Sequence, residues 1–460
     1  MKKMLKLQTG SFTGEIMMEK FFYPKSVAVI GASHDERKIG YVIFKNLLEK
    51  FKGKVYPVNP KTEPILEQKV YSSVLDVEDK IDLAVIAVNA LIVPKVLEEC
   101  GKKGIKNVII ISSGFSETGS LEGKKAEEKI KEIAKTYGIR VIGPNTIGIF
   151  NSENGLDATF FLEKDVRKPS KGNISFFTQS GTIGILSLDI LAKECIGVAK
   201  LVSYGNAIDV NEADLIEYFS RDEKTKVIAG FIESVRDGKK FLEALKKNKK
   251  PIVLLKGGKT SFGARATSSH TSSLAGDYKV YSNVFKQFNV IEAKTWDDLI
   301  DYLKILSTGK RSEGKRLAIL TNAGGFGVLA SDFAFKLGLE LPEPSEKLKE
   351  ELKKFLPFYA SVKNPIDITA DADVERYKNV LKILDENDEF DLLLIVILIQ
   401  TPMLNETILE ILESLKKPFA VCMAGTKAEE IKKRLEKPLP IYDSPERAVR
   451  ALKILTEIKA

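Results

Sequence analysis

The chain has 460 residues, of which 44% are hydrophobic and 29% charged, which is typical of a globular protein with about three domains. Its 71 basic and 63 acidic side chains give a net charge of +8 and are mixed along the sequence, so it lacks the clustered basic face that nucleic-acid binding requires. The longest aliphatic run, at residues 392–399, is too short to span a bilayer, and residues 1–20 lack the apolar core of a signal peptide, so we expect a cytoplasmic protein with no membrane or nucleic-acid partner.

Short apolar runs alternate with amphipathic helical stretches throughout, which predicts an α/β fold of parallel sheets with helices on both faces. Three segments begin alike, with a strand, a turn and a helix, at residues 27–33, 174–181 and 317–325. Polar stretches at 164–172 and 309–314 are typical of linkers. We therefore predict a Rossmann-like domain at 1–150 and two related doubly wound domains at 151–308 and 309–460.

The first domain has the order of a nucleotide-binding fold, but its glycine pattern does not fit NAD. Gly31 is followed by ASHDE instead of the full Gly-x-Gly-x-x-Gly spacing. The second strand ends in a lysine, Lys61, where NAD-binding proteins usually have an acid, and a lysine suits the phosphorylated ribose of coenzyme A or NADP. The alternative is a plain scaffold with ordinary turns. The candidate cofactor-binding residues are Gly31, Ala32, Ser33, Asn59, Pro60, Lys61, Ser112, Ser113, Gly114, Pro144 and Asn145.

The second domain opens with a turn between a buried strand and a long apolar helix. The N–H groups at such a helix start have no acceptor within the helix and bind phosphate well, and we expect those of Ser180 and Gly181 to do so. The alternative is ordinary helix capping by Thr178 or Ser180. The candidate phosphate-binding residues are Thr178, Gln179, Ser180, Gly181 and Thr182.

A basic loop rich in small residues, at positions 256–276, contains one of the two histidines of the chain, His270. Glycine, serine and threonine give such a loop freedom to move, and its lysines and arginine offer charge to phosphate. An imidazole in this setting indicates a phosphohistidine, the alternative being a solvated loop with an incidental histidine. The other candidate residues of the loop are Gly257, Gly258, Lys259, Ser269 and Thr271.

The third domain repeats the second but lacks the histidine loop. The segment KKPIV at 249–253 recurs as KKPFA at 416–420, and after residues 423–427 the third domain continues directly into a helix. The strand before Glu233 also has a counterpart, the run 392–399, which we predict to be a strand ending at Gln400. Only one copy therefore has both a carboxylate at the strand end, where open α/β sheets bind ligands, and the histidine loop. We predict that Glu233 accepts a hydrogen bond from one ring nitrogen of His270 and leaves the other nitrogen nucleophilic.

Two further features concern cofactors and origin. The three cysteines are scattered without metal-binding spacing, which predicts reduced core residues and no metal site in this chain. The abundance of lysine and glutamate favours a hyperthermophilic source.

Together, VIGAS at 29–33, TQSG at 178–181, and GGKT at 257–260 through SSHT at 268–271 resemble the ADP-forming acetyl-CoA synthetases. These belong to the superfamily that includes succinyl-CoA synthetase, and the resemblance covers nearly the whole chain. It implies a CoA-binding first domain, two flavodoxin-like domains, phosphorylation of His270 and a supporting role for Glu233. Many relatives have glycine at the position of Ser272. This difference bears on the flexibility expected of the loop and not on its chemistry.

The resemblance also implies a partner. The ATP-grasp domains of the family, which bind the nucleotide, have no counterpart here, so a beta subunit that binds ADP or ATP with Mg²⁺ is expected, in an α2β2 heterotetramer. The substrates implied are CoA or acetyl-CoA, phosphate and a small carboxylic acid. Three alternatives are a CoA-dependent lysine acetyltransferase or its regulatory remnant, a CoA-sensing scaffold, and an NADP-dependent oxidoreductase.

Overall fold

The computed structural model describes residues 18–265 and 276–458, which form two compact units. Among the described residues, the first unit runs up to Ala192 and from Gly197 to Glu292, and the second comprises Lys193–Ile196 and the residues from Ala293 onward. Strands β1 to β17 are Ser26–Ile30, Lys54–Val58, Leu83–Ile86, Asn107–Ile110, Arg140–Ile142, Ile149–Asn151, Leu156–Asp157, Ile174–Thr178, Val198–Ser203, Val227–Ile232, Ile252–Lys256, Ile291–Ala293, Leu317–Thr321, Ile366–Asp367, Leu392–Val396, Phe419–Cys422 and Ile441–Tyr442.

Helices connect most consecutive strands, as the alternating sequence pattern predicts. Helices α1 to α14 are Ile39–Lys50, Val93–Lys103, Leu121–Tyr137, Gly181–Lys193, Glu212–Arg221, Gly238–Lys247, Tyr278–Gln287, Trp296–Ser307, Gly324–Lys336, Glu346–Lys353, Val374–Glu386, Ile408–Ser414, Thr426–Lys432 and Pro445–Leu455. Short 3₁₀ helices occupy Val74–Asp76 and Ser116–Thr118.

The first sheet has the order β2-β1-β3-β4-β5 and is parallel throughout. Strands β1, β3 and β4 are buried along their whole length, which explains why all but the first residues of β1 and β4 are aliphatic. The strand order reverses between β1 and β3, and open α/β sheets bind ligands in the crevice at such a point.

The second sheet has the order β12-β11-β10-β8-β9-β6-β7. Strands β11, β10, β8 and β9 are parallel, and the order reverses between β8 and β10 as it does in the first sheet. Strand β6 pairs with β9 in the antiparallel direction and β7 pairs with β6, which extends the sheet at one edge.

The third sheet, β14-β13-β15-β16-β17, repeats the parallel order of the second. Serine side chains cap the amino ends of two of the helices. Ser120 caps α3, and Ser444 caps α14 just before the proline in its first turn. The predicted α/β fold with three sheets is therefore confirmed.

The prediction that residues 392–399 form one strand was wrong, because the strand is shorter. The predicted correspondence between Glu233 and Gln400 was therefore also wrong. Strand β15 ends at Val396. Thr178 pairs with Phe231 and Thr321 with Val396, so the residue that corresponds to Glu233 is Leu398, two positions beyond the strand. The carboxylate is still confined to one copy, but its counterpart is an apolar side chain.

None of the helices within residues 18–265 and 276–458 is long and apolar enough to cross a membrane.

Candidate active site

The predicted cofactor-binding residues lie along the carboxyl edge of the first sheet. Asn59 follows β2 and donates from Nδ2 to the carbonyl of Ala32, which follows β1, at 2.7 Å. Ser112 follows β4 and donates from Oγ to the carbonyl of Val88, which follows β3, at 2.5 Å. The N–H of Asn145, which follows β5, donates to the Ser112 carbonyl at 2.9 Å. Five strand ends thus contribute to one continuous edge.

Gly31 lies where the order of the first sheet reverses, and its conformation requires glycine. Its φ is +99°, and a Cβ at this position would lie 2.4 Å from the carbonyl oxygen of Ala87. Its N–H donates to the Val58 carbonyl at 2.9 Å, and α1 begins only at Ile39. Gly31 therefore allows β1 and β3 to approach closely, while its amide is committed to the neighbouring strand.

A pocket of about 430 Å³ opens on this edge between the ends of β3 and β4. It is lined by Ser112, Ser113 and Gly114, and by residues that the sequence reasoning did not select: Ile39, Ala87, Val88, Asn89, Ala90, Leu91, Ile111, Ser120, Glu122 and Gly123. The start of α3 also lines it, and a helix start is favourable for an anionic group. The pocket has both apolar and polar lining residues, and its volume is typical of sites that bind small molecules.

The carboxyl edges of the first and second sheets meet at Asn145 and Asn206. Asn206 follows β9, its N–H donates to the Pro144 carbonyl at 3.0 Å, and the two asparagine side chains are 3.3 Å apart. Asn145 has a φ of +59°, a sparsely populated conformation that is often retained at functional sites. Asn206 also donates to Glu117 at 2.7 Å, and Glu117 accepts the N–H of Gly114 at 2.6 Å. The pocket wall is thereby connected to the second sheet.

The turn at 178–182 joins β8 to α4. The N–H of Ser180 donates to Oγ1 of Thr178 at 3.1 Å, and Ser180 Oγ accepts the N–H of Ile183 at 3.4 Å. The N–H groups of Gly181 and Thr182 begin the helix, where no preceding helical turn can accept them. The geometry therefore favours Gly181 and Thr182 as anion donors, with Ser180 already engaged in capping.

Glu233 follows β10, the neighbour of β8, and lies where the order of the second sheet reverses. Its side chain is buried, with 8% of the residue exposed. The Gln179 side-chain carbonyl accepts the N–H of Glu233 and, at 3.0 Å, the N–H of Ser234. Gln179 therefore fixes the turn that carries Glu233, so the predicted phosphate turn and the predicted carboxylate are brought together by a direct contact.

The beginning of the histidine loop is anchored beside this turn. The N–H of Gly257, which follows β11, donates to the Ile232 carbonyl at 2.9 Å. Gly258 has a φ of +68°, and the Lys259 ammonium group lies 3.9 Å from Glu292 Oε1. Ser269, His270 and Thr271 lie outside the described residues. The structure thus places the Glu233 turn next to the start of the loop.

Two buried acidic or phenolic groups lie near Glu233. Burial raises the pKa of Glu212 to about 7, even though its Oε1 accepts the N–H of Arg236 at 3.1 Å. Burial, followed by the charges of Glu212 and Glu233, raises the pKa of Tyr204. The site is therefore a low-dielectric environment in which each charge strongly influences its neighbours.

Sequence reasoning missed Asn206, Glu212 and the contact role of Gln179. It counted Lys256 among the loop lysines that offer charge to phosphate, whereas Lys256 is the buried last residue of β11. Asn206 and Glu212 carry no local signal, because their partners are distant in sequence. Comparing the two copies could have indicated that Lys256 belongs to the strand end, since the third domain has Met423 at the equivalent position.

Three family models match successive parts of the chain. Residues 25–152 match a CoA binding domain, residues 171–306 a succinyl-CoA ligase like flavodoxin domain, and residues 317–436 a ligase-CoA domain. The first match contains the whole first sheet, the second contains strands β8 to β12 of the second sheet, and the third contains β13 to β16 of the third sheet.

Similar proteins carry related names. The acetate–CoA ligase (ADP-forming) II subunit alpha of Pyrococcus furiosus is 42% identical over 453 residues, which cover 96% of this chain and 98% of that protein. An ADP-forming acetate–CoA ligase of Methanocaldococcus jannaschii is 49% identical over 355 residues, which cover 77% of this chain and 49% of that protein. The matched part is therefore about half of the longer relative.

A solved structure has the same fold over nearly the whole chain. It is the dinucleotide forming acetyl-coenzyme A synthetase 1 of Ca. Korarchaeum cryptofilum in complex with phosphate and ADP, with a TM-score of 0.89 and 37% identity. The likeness covers 96% of this chain and 96% of that one.

Proposed function

Because this chain belongs to the family of ADP-forming acetate–CoA ligase alpha subunits, we propose that it supplies the CoA-binding and phosphoryl-carrying part of an acid–thiol ligase. The overall reaction is acyl-CoA + ADP + phosphate ⇌ carboxylic acid + CoA + ATP. The three proposed domains are residues 1–150 for CoA, 151–308 for phosphoryl transfer and 309–460 as the duplicated ligase domain.

CoA binds along the carboxyl edge of the first sheet in this proposal. Lys61 is exposed beyond β2, where its charge is available to a ribose phosphate. The pocket beside Ser112, Ser113 and Gly114 receives the part of CoA that leads to the thioester. The thioester then lies near Asn145, where the two sheets meet.

The first chemical step forms an acyl phosphate. A phosphate oxygen attacks the thioester carbonyl carbon, a C–O bond forms, and the C–S bond breaks to release CoA, whose sulfur takes up a proton. The N–H groups of Gly181 and Thr182 hold phosphate oxygens at the start of α4, where the helix dipole favours an anion.

The second step transfers the phosphoryl group to His270. A ring nitrogen attacks phosphorus, an N–P bond forms, and the O–P bond to the acyl group breaks to release the carboxylate. Glu233 accepts a hydrogen bond from the other ring nitrogen, which fixes the tautomer and stabilises positive charge on the ring. Gln179 holds the turn that positions this carboxylate.

The third step takes place on a partner. The loop carries the phosphoryl group from His270 to ADP on a beta subunit with ATP-grasp domains, which also binds Mg²⁺, in an α2β2 assembly. Positioning and charge neutralisation supply most of the rate enhancement, as in other phosphoryl transfers. Gly257 and Gly258 provide freedom at the root of the loop.

One observation carries the proposal: the second domain holds a buried carboxylate at its switch point, beside the phosphate turn and the root of the histidine loop, and the third domain has Leu398 there. Removing a carboxylate from water is costly, so its presence in only one of two similar domains supports a functional role.

Labelling of the full-length chain tests this function. With radioactive phosphate and acetyl-CoA, the wild type should acquire an acid-labile label that mass spectrometry maps to His270. His270→Ala should abolish the label, and Glu233→Gln should reduce it at least tenfold, because the amide supports the imidazolium poorly. Affinity for CoA should stay near that of the wild type in both variants. Normal labelling of His270→Ala would refute the phosphohistidine, whereas normal labelling of Glu233→Gln would remove only the role of the carboxylate.

A further inference from the structure

Lys256, the last residue of β11, is a buried cation, whereas the sequence predicted a loop lysine that offers charge to phosphate. Only 2% of the residue is exposed. Its ammonium group donates to the carbonyl of Glu233 at 2.7 Å and to the carbonyl of Gly257. It also lies 4.7 Å from the centre of the Tyr281 ring. The lysine therefore joins the end of β10, which carries Glu233, to the root of the histidine loop.

The third domain shows that the fold does not require this cation. Strand pairing places Met423 at the equivalent position, and Met423 is fully buried. The carbonyl of Ala424, which corresponds to Gly257, accepts instead from the Gln400 side-chain amide at 2.6 Å. A neutral donor is thus sufficient for the backbone of this sheet edge.

The cation and the carboxylate differ together between the two copies. Glu233 corresponds to Leu398 and Lys256 to Met423, so one domain has an acid and a base at this edge while the other has two apolar side chains. Desolvating an ammonium ion is costly, and a structural need would be met more cheaply by the neutral arrangement. The positive charge of Lys256 therefore indicates a role beyond holding the backbone of this sheet edge.

We propose that Lys256 is a positioning residue for phosphoryl transfer, whose ammonium ion holds the Glu233 turn against the root of the His270 loop. This inference rests on the proposed function. Lys256 acts through Glu233 and the loop, and it takes no part in bond formation.

The protonation of Lys256 gives the proposal a pH signature. Burial lowers the pKa of Lys256 to about 8; the charge of Glu233 partly opposes this shift and the smaller effect of Lys259 adds to it. Tyr281, whose own pKa is raised by burial, faces the ammonium group from α7. As the pH rises through about 8 the cation is lost, so the labelling rate of the wild type should fall there.

The test compares labelling rates of full-length variants with phosphate and acetyl-CoA between pH 6 and pH 10. Lys256→Met reproduces the side chain of the third domain, and Lys256→Gln retains a neutral donor for the carbonyls. Both should slow labelling of His270 at least tenfold at pH 7, with affinity for CoA unchanged. Their residual rates should lack the decline of the wild type above pH 8.

Lys250 provides a matched control, because it lies at the amino end of β11 whereas Lys256 lies at the carboxyl end of the same strand. Lys250, just before β11, also donates to two backbone carbonyls, those of Phe219 at 2.7 Å and Asp222 at 2.6 Å, and burial also lowers its pKa. Lys250→Met removes equivalent contacts far from Glu233, so its labelling rate should match the wild type.

The outcomes separate this inference from the function on which it rests. Labelling that persists in His270→Ala would refute the function. If His270→Ala abolishes labelling but Lys256→Gln labels at the wild-type rate, a neutral donor suffices and the role of the charge is overturned. A wild-type rate that stays constant from pH 7 to pH 10 would overturn it as well, and this measurement does not depend on any variant folding.

Discussion

Gln179 illustrates how a single buried amide can set the position of a carboxylate. Its side-chain carbonyl accepts the N–H groups of Glu233 and Ser234 at the end of β10. Asn322 makes the equivalent contact in the third domain, where it accepts the N–H of Leu398 at 2.7 Å. The two copies therefore share the device that shapes the turn and differ in the side chain that the turn presents.

At the residue scale, we predict that Gln179→Leu slows labelling of His270 about tenfold or more without changing CoA affinity. The substitution leaves two backbone N–H groups without their acceptor, at a cost of about 1–3 kcal/mol each, and the Glu233 turn should shift to recover hydrogen bonds. The rate of phosphate labelling and calorimetric titration with CoA measure the two effects.

Asn322→Leu is the matched control for this prediction. It removes the same kind of contact from the third domain, which has no carboxylate at that turn, so it should lower stability comparably and leave the labelling rate near that of the wild type. Equal loss of labelling in both variants would show that Gln179 acts through general stability.

At the scale of elements, the ends of strands determine what each sheet can bind. Parallel strands expose their last carbonyl and N–H groups at one edge, and the five strand ends of the first sheet are joined there by contacts such as Asn59 to Ala32 and Asn145 to Ser112. Lys61 lies just beyond β2, and its backbone N–H donates to the Asn59 side chain at 2.9 Å, so its position is fixed although its side chain is exposed.

We predict that the chain binds CoA in preference to NAD and that Lys61→Glu weakens CoA binding roughly five- to tenfold, because reversing one exposed charge replaces an attraction by a repulsion. Dephospho-CoA, which lacks the ribose 3′-phosphate, should bind the variant and the wild type equally. Isothermal titration calorimetry with the three ligands measures these affinities.

Lys52→Glu is the control for this strand. Lys52 is exposed just before β2, at the amino edge of the sheet, so the same change of charge there should leave CoA affinity unchanged. Tight binding of NAD without measurable binding of CoA would contradict the assignment of the first domain, and equal loss in both variants would point to net charge rather than to a specific contact.

At the scale of the whole molecule, the chain contains the matches for CoA binding and for two ligase domains, and it spans almost the full length of an alpha subunit. The Methanocaldococcus relative is about twice as long as the matched part, so other proteins of the family contain additional sequence in the same polypeptide. Under the proposed function, the reaction is divided between two chains.

We therefore predict that the purified chain alone makes no ATP from acetyl-CoA, ADP and phosphate, although it should become labelled with phosphate at His270. Adding an ATP-grasp partner should restore ATP synthesis, which a luciferase assay measures. The same partner with His270→Ala should remain inactive. Measurable ATP synthesis by the isolated wild-type chain would contradict the division of function between subunits.

The sequence by itself determined the features that depend on neighbouring residues. Apolar runs separated by amphipathic stretches predicted three parallel α/β sheets, and turns after strands identified Gly31, Asn59, Ser112 and Gln179 as edge residues, because strand and helix periodicity and turn chemistry are local properties. The motifs around these turns and the histidine loop also indicated the family, which the relatives confirm.

Only the tertiary structure decided how these edges are assembled. Lys256 meets the Glu233 carbonyl, and Asn145 meets Asn206, across strands that are far apart in sequence. Strand register, and not the length of an aliphatic run, made Leu398 the counterpart of Glu233, since residues 397–399 remain apolar after β15 has ended. Such contacts arise from the order and pairing of strands in the folded sheet, which hydrophobic pattern alone does not specify.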